Sequence, residues 1–331
     1  MMTLRRILVP VSDQRRRAHT AALKAVQLAR RSGAVIELFH AWDDLVDLYD
    51  VPDALDLGKV ELAAHERARK PLERLARKLR GLGADVTVAV ETDHPAHEAI
   101  IRRAVRTGAD LIVLDARGHH RAPGVLRVTD WELLRHSPVP VLLVKRRAAY
   151  RRPAILAAVD PQHGYSKPSG LDDVILDAGI TLENALAGRL HALHCYVPIP
   201  LTALSPRNYS ADLSLELQRQ AKVRARAGLD ALLRRTKIPA ARRHLVARHP
   251  QDAIPDIAHE TGAAIVVMGA VSRSGLKRIF IGNTAEQVMD ELPCDLLVVK
   301  PRGFDARVPK KPRGANWRIA GTMPPAGSGW S

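Results

Sequence analysis

The chain carries one motif series twice, about 150 residues apart, and that period restricts it to two copies of one domain-sized fold. Arg6-Ile7-Leu8-Val9-Pro10-Val11-Ser12-Asp13 is echoed by Pro153-Ala154-Ile155-Leu156-Ala157-Ala158-Val159-Asp160. Gly108-Ala109-Asp110-Leu111-Ile112-Val113-Leu114-Asp115 is echoed by Gly262-Ala263-Ala264-Ile265-Val266-Val267-Met268-Gly269, and Val141–Lys145 by Leu296–Lys300. With 331 residues, each copy has room for its own core. The halves can therefore be compared position by position.

Each half alternates short β-branched runs with helical periodicity. In the first, strands are expected at Ile7–Val11, Val35–Ala41, Val86–Val90, Leu111–Leu114 and Val139–Val144. Helices are expected at Ala18–Arg31, Val60–Leu82, His97–Arg106 and Trp131–Arg135. The second half repeats the order. Its strands are Ile155–Val159, Arg189–Cys195, His244–Ala247, Ile265–Met268 and Leu296–Val299; its helices are Leu171–Leu186, Ala211–Leu233, Ala253–His259 and Ala285–Leu292. Continuous apolar strands between helices imply a parallel sheet covered on both faces. The fold class is therefore α/β: two tandem, doubly wound, Rossmann-like domains over 1–146 and 153–301, with Arg146–Arg152 as linker. Residues 302–331, rich in Gly, Pro and basic side chains, are expected to be disordered. The insertions Asp44–Lys59 and Pro198–Ser210 follow the second strand of each half and read as irregular connections or as lids.

Composition narrows the classes further. No apolar run reaches the roughly 18 residues of a membrane span, and the N-terminal run lacks a signal core, so a cytoplasmic location is expected. Two cysteines, Cys195 and Cys294, cannot form a disulfide framework. The net charge of +16 suggests a polyanion partner, but it is spread as +6, +5 and +5 over residues 1–146, 147–301 and 302–331. That even spread fits solvated arginine-rich helices, and nucleic-acid binding through the basic tail is kept as the lesser alternative. His191, His194 and Cys195 share a strand, whose period of two cannot direct all three at one metal. His94-Pro95 and His249-Pro250 read as helix entries, with Glu98 and Asp252 in the first turns. His119-His120 reads as a surface loop pair. No nucleophile–base–orienter set is apparent, so a dedicated enzyme is not expected and weak ATP hydrolysis is the most that is left open.

The segment with chemistry follows the fourth strand of the second half, from Gly269 through Ser272, Arg273, Ser274, Gly275, Lys277 and Arg278 to Gly282-Asn283-Thr284. Glycines let backbone approach a ligand, and free N–H groups at a helix start attract an anion. Asn283, Thr284 and Glu286 fit ordinary capping equally well. The arrangement resembles the universal stress protein family, whose nucleotide-binding members carry Gly-x2-Gly-x9-Gly-Ser/Thr here and an Asp after strand one. Gly269 and Gly282 match the first and third glycines; Ser272 stands at the second, Asn283 at the Ser/Thr position with Thr284 next, and Asp160 matches the acid. The resemblance spans about residues 3–301 and is to the tandem type, through Thr129–Arg135, Gly282–Val288 and Pro293–Pro301.

The resemblance implies an adenine nucleotide alpha hydrolase-like fold and a cytoplasmic stress-response protein. It implies that the second half binds ATP or another adenine nucleotide, with Mg only as the nucleotide's own ion. Asp160 would accept a hydrogen bond from the adenosine part, and Gly269, Ser272, Gly275, Gly282, Asn283 and Thr284 would surround the phosphates. Fifth-strand edges would pair within the chain as a pseudo-dimer, and a homodimer is a further expectation. In the first half, Asp115 and Val128 replace the first and third glycines, which argues against a phosphate site there. A protein that binds a partner and no nucleotide is the alternative.

Overall fold

The computed structural model describes residues 2–12, 19–42, 46–48, 57–116, 128–162, 170–197, 211–270, 288, 291–306, 308–314 and 317–319. In the first half the strands are β1 (Arg6–Pro10), β2 (Val35–Trp42), β4 (Val86–Thr92), β5 (Leu111–Asp115) and β6 (Val141–Val144). A short β3 (Val46–Leu48) lies in the first insertion, which therefore is not wholly irregular. The helices are α1 (Thr20–Ser32), α2 (Leu57–Arg80), α3 (Ala96–Thr107) and α4 (Val128–His136). The second half has β7 (Ala154–Val159), α5 (Leu171–Leu186), β8 (Arg189–Cys195), α6 (Ala211–Leu233), β9 (Arg243–Val246), α7 (Pro250–Glu260), β10 (Ala263–Gly269) and β11 (Asp295–Val299). The helix expected over Ala285–Leu292 falls mostly outside the described residues.

These strands form one sheet in the order β4-β2-β1-β5-β6-β11-β10-β7-β8-β9. Pairing within each half is parallel. The halves meet where β6 and β11 run antiparallel, with Leu143 opposite Leu296, Leu142 opposite Leu297 and Val141 opposite Val298. Antiparallel edges hydrogen-bond without a crossover, so two domains join into one sheet without rewiring either. Helices pack on both faces. One apolar cluster holds Leu28, Leu142, Ile175 and Leu297, the other Ile101, Leu133, Leu193 and Val298, so both cross the seam between halves. Left-handed glycines end α1 at Gly33 (φ 71°) and α3 at Gly108 (φ 63°), where a Cβ would be strained. Entry into α3 and α7 through Pro95 and Pro250, with Glu98 and Asp252 in the first turns, follows the sequence pattern.

One buried carboxylate locks the seam. Asp295, at the start of β11, is fully buried. Its Oδ2 is ion-paired with Lys24 of α1 and accepts from Tyr150 Oη at 2.6 Å. Its Oδ1 accepts from the backbone N–H groups of Lys145 and Arg146, both at 2.9 Å. Lys24 Nζ also lies 4.3 Å from the Tyr150 ring centroid. Gln27 exchanges two hydrogen bonds with the Tyr150 backbone, at 3.0 and 3.1 Å. Burial, reinforced by the negative charge of Asp295, drives the Tyr150 phenol well above its ordinary pKa, so it stays a donor.

The described parts of the C-terminal segment depart from the expected disorder. Arg302 reaches Asp177 of α5 at 3.5 Å, and Pro309, Arg313 and Trp317–Ile319 dock on the first half. Arg313 binds both oxygens of Glu98 at 2.9 and 3.1 Å, and its N–H donates to Asp93 at 2.9 Å. Buried Arg102 bonds Asp93, Glu98 and the Pro309 carbonyl. Beyond it, β12 (Trp317–Ile319) pairs in parallel with β3. Composition misled because the basic residues meet a prepared acidic pair, and specific ion pairs offset the entropy of ordering.

Removing one partner of a buried ion pair leaves the other uncompensated. Asp295→Ala should therefore lower unfolding free energy by about 3–5 kcal/mol in urea titrations. A loss below about 1 kcal/mol would show that the seam does not depend on this carboxylate.

Candidate functional site

In an open parallel sheet, ligands bind beyond the carboxyl ends of strands where the connections leave in opposite directions. In the second half that point lies between β7 and β10, because the chain passes from β7 out to β8 and returns to β10 on the other side. Asp160 follows β7 there and is only 5% exposed. Its backbone N–H donates to Asp172 Oδ1 of α5 at 2.9 Å. Gly269 ends β10 opposite Val299, and the Ala270 N–H donates to the Val299 carbonyl at 3.0 Å. Asp160 and Gly269 thus share one sheet edge. Ser272, Gly275, Gly282, Asn283 and Thr284 lie outside the described residues.

Gly269 has a packing reason to be glycine. A Cβ there would stand 2.6 Å from Leu171 Cδ2, at the first turn of α5. The helix start is therefore seated directly on the strand end. The first half solves the same junction differently. Asp115 ends β5, and its Oδ1 accepts from the Ala21 N–H at 2.9 Å in the first turn of α1. A carboxylate of the chain itself thus occupies the positive end of that helix, where an external anion would otherwise be attracted.

Strand register corrects one correspondence. Pro10 pairs with Phe39, which brings Val11 level with His40, and Val159 pairs with His194. His40 Nδ1 lies 2.7 Å from the Val11 carbonyl and His194 Nδ1 lies 3.2 Å from the Val159 carbonyl. The structural counterpart of Asp160 is therefore Ser12, not Asp13. The echo read from sequence was one residue out, because an apolar run does not define its own register. The first half thus lacks the strand-one acid as well as the glycine.

Sequence reasoning passed over Lys300. It follows β11 at the same sheet edge, level with Ala270, and is 7% exposed. No carboxylate among the described residues pairs with it; its ammonium lies 5.0 Å from the Phe304 ring centroid. Burial pushes its pKa down to about 7. The signal was the repeated Val-Lys at the end of each fifth strand, where Lys145 instead donates to the Leu292 carbonyl at 2.7 Å.

His191 and His244 stack with ring centroids 5.4 Å apart and nitrogens at 3.1 Å. Burial, then the neighbouring His244, lowers the His191 pKa to about 4, and burial lowers that of His244 as well. No group of three or more candidate metal ligands occurs among the described residues. Cys195 and Cys294 are buried and neither is in a disulfide, and burial raises the Cys294 thiol to about 12, which keeps it unreactive.

Lys300 gives a measurable pH signature. Its folded pKa is about 7 against 10.5 for an ordinary lysine, so the unfolded chain binds the extra proton between those values. Stability should rise with pH across that window and flatten in Lys300→Met, as read from thermal unfolding at pH 7 to 10. An unchanged slope in the variant would remove Lys300 as its source.

Comparison with known proteins agrees with this architecture. The model of the universal stress protein family matches residues 3–145 and 154–300. Universal stress protein E of Escherichia coli K12 is 28% identical over 311 residues, covering 93% of this chain and 98% of that protein. Universal stress protein E of Salmonella typhi is 31% identical over 229 residues, covering 68% and 72%. A putative universal stress protein from Pseudomonas aeruginosa UCBPP-PA14 superposes with a TM-score of 0.69 at 26% identity, covering 91% and 94%. A universal stress protein from Archaeoglobus fulgidus DSM 4304, at 19% identity and TM-score 0.58, shares the fold over 89% and 98%. Two matched segments, one per half, cover nearly all of the ten-stranded sheet, and the chain belongs to the universal stress protein family.

Proposed function

We propose that the chain is a stress-response protein that binds an adenine nucleotide through its second half. The observation that carries the reading is the asymmetry at the sheet edge. The second half keeps a buried acid, Asp160, and a glycine, Gly269, at its switch point; the first half has Ser12 and an α1-capping Asp115 there. Asp160 would accept from the adenosine part. Ser272, Gly275, Gly282, Asn283 and Thr284 would hold the phosphates with backbone N–H and hydroxyl donors, and the nucleotide would bring its own Mg. Gly269, filled by Leu171, would shape the edge rather than touch phosphate. Lys300, buried at the same edge with no carboxylate partner among the described residues, is a further donor there.

The β6–β11 pairing uses the free edge of each half, and in this reading it takes the place of a dimer between chains. No described helix is long and apolar enough to cross a membrane.

Equilibrium dialysis with labelled ATP tests the reading. Wild type should bind saturably, and Asp160→Ala and Gly282→Val should each weaken binding by about tenfold or more. Absence of binding by wild type at millimolar ATP would refute it and leave a partner-binding protein.

A further inference from the structure

A second concave site lies at the opposite end of the second half's strands from Gly269. A cavity of about 290 Å³ opens between the linker, α1 and the amino-terminal ends of β7, β8 and β10. Its floor is the Lys24 and Tyr150 cluster around Asp295, whose ion pair is internally neutral. Its wall carries Arg146, Arg151, Arg152 and Arg189, and no carboxylate lines it among the described residues. The four arginines are exposed, and none of their guanidinium groups is ion-paired or hydrogen-bonded to a described residue.

The chain holds these cations close together by built contacts. Arg146 is fixed through its own N–H on Asp295. The Arg189 N–H donates to the Pro153 carbonyl at 2.8 Å, which draws the start of β8 onto the linker. The approach depends on Gly188, where a Cβ would stand 2.6 Å from that same carbonyl. Arg152 sits at φ 47°, in the left-handed region rarely used by side-chain-bearing residues. Four like charges around one concavity repel each other and focus a positive potential into it. Guanidinium forks match phosphate oxygens two at a time, and such charge-assisted pairs are the strong ones. The volume suits a small ligand.

We propose that this cleft binds a short polyphosphate chain, with Arg146, Arg151, Arg152 and Arg189 as its ligands. A multiply charged anion is required, because one charge would leave most of the cluster uncompensated. The site is distinct from the nucleotide site proposed at the Asp160 edge and does not rest on that reading. It also gives the linker a task beyond connection: an anion bridging Arg146 and Arg189 would tie the end of the first half to the sheet of the second.

The test is calorimetric titration of the full chain with inorganic tripolyphosphate at low ionic strength. Wild type and Gly282→Val should bind alike at one site. The triple variant Arg151→Ala, Arg152→Ala, Arg189→Ala should bind roughly tenfold more weakly or worse. All three side chains are exposed, so their removal should leave the melting temperature within a few degrees. Independently of any variant, tripolyphosphate should slow amide exchange in residues 146–154 of wild type. Binding that survives in the triple variant but is lost in Gly282→Val would overturn the proposal and assign the anion to the nucleotide edge. Absence of binding, or of protection in residues 146–154, would overturn it as well.

Discussion

A carboxylate with zero exposure sets the geometry of this molecule. Asp295 sits where β11 begins, and its two oxygens take four donors: one lysine, one tyrosine and two backbone N–H groups. All four donors belong to the first half or the linker. A buried charge so surrounded has no comparable arrangement nearby, so it selects one seating of the halves among the many that matched apolar edges would allow. The Leu142, Leu143, Leu296 and Leu297 contacts supply attraction, whereas Asp295 supplies register. A slip of one residue along β6 would leave the apolar faces mismatched and this carboxylate unsatisfied.

Once the seam is fixed, the two carboxyl edges lie on opposite sides of the sheet's midline and need not serve the same purpose. The end of the fourth strand is the place where this is decided. In both halves it meets the first turn of that half's first helix, α1 or α5. Glycine there allows Leu171 to sit on the strand; aspartate there allows the chain to cap α1 with its own negative charge. The second solution gives a self-contained junction and removes the electrostatic reason to bind an anion. The first brings no strand-end carboxylate to the α5 entry, where the helix's own first-turn Asp172 accepts from the Asp160 backbone N–H.

Much of the fold was legible in sequence because hydrophobic periodicity is a local signal. Strands such as Val35–Ala41 and Arg189–Cys195, and the Gly33 and Gly108 stops, emerge nearly where the pattern puts them. What failed was non-local. The one-residue error between Asp13 and Ser12 is invisible in an all-apolar run and appears only through the pairing of Val159 with His194. Docking of Arg313 on Glu98 joins residues 215 apart, and composition cannot announce such a partner. Lys300 looked like the ordinary end of a strand; burial beneath Phe304 makes it unusual. Of the candidate site, Asp160 and Gly269 were found by position in the repeat, yet the Leu171 contact that explains Gly269 lies across the fold.

The docked C-terminal segment follows from the same asymmetry. Asp93 follows β4 and Glu98 lies in the first turn of α3, so two carboxylates stand at the carboxyl edge of the first half. Arg102 alone cannot balance both. Burial works to raise the Glu98 pKa, but hydrogen bonds from Arg313 and Arg102 outweigh it and hold the carboxyl below its ordinary value. The second arginine comes from the far end of the chain, and β12 then completes a small sheet with β3 of the insertion. The halves are thus joined three times: by the β6–β11 seam, by the linker over Asp295, and by this returning segment. The carboxyl edge of the first half, where Asp93 and Glu98 gather two arginines, is thus the edge the chain uses to hold its own end in place.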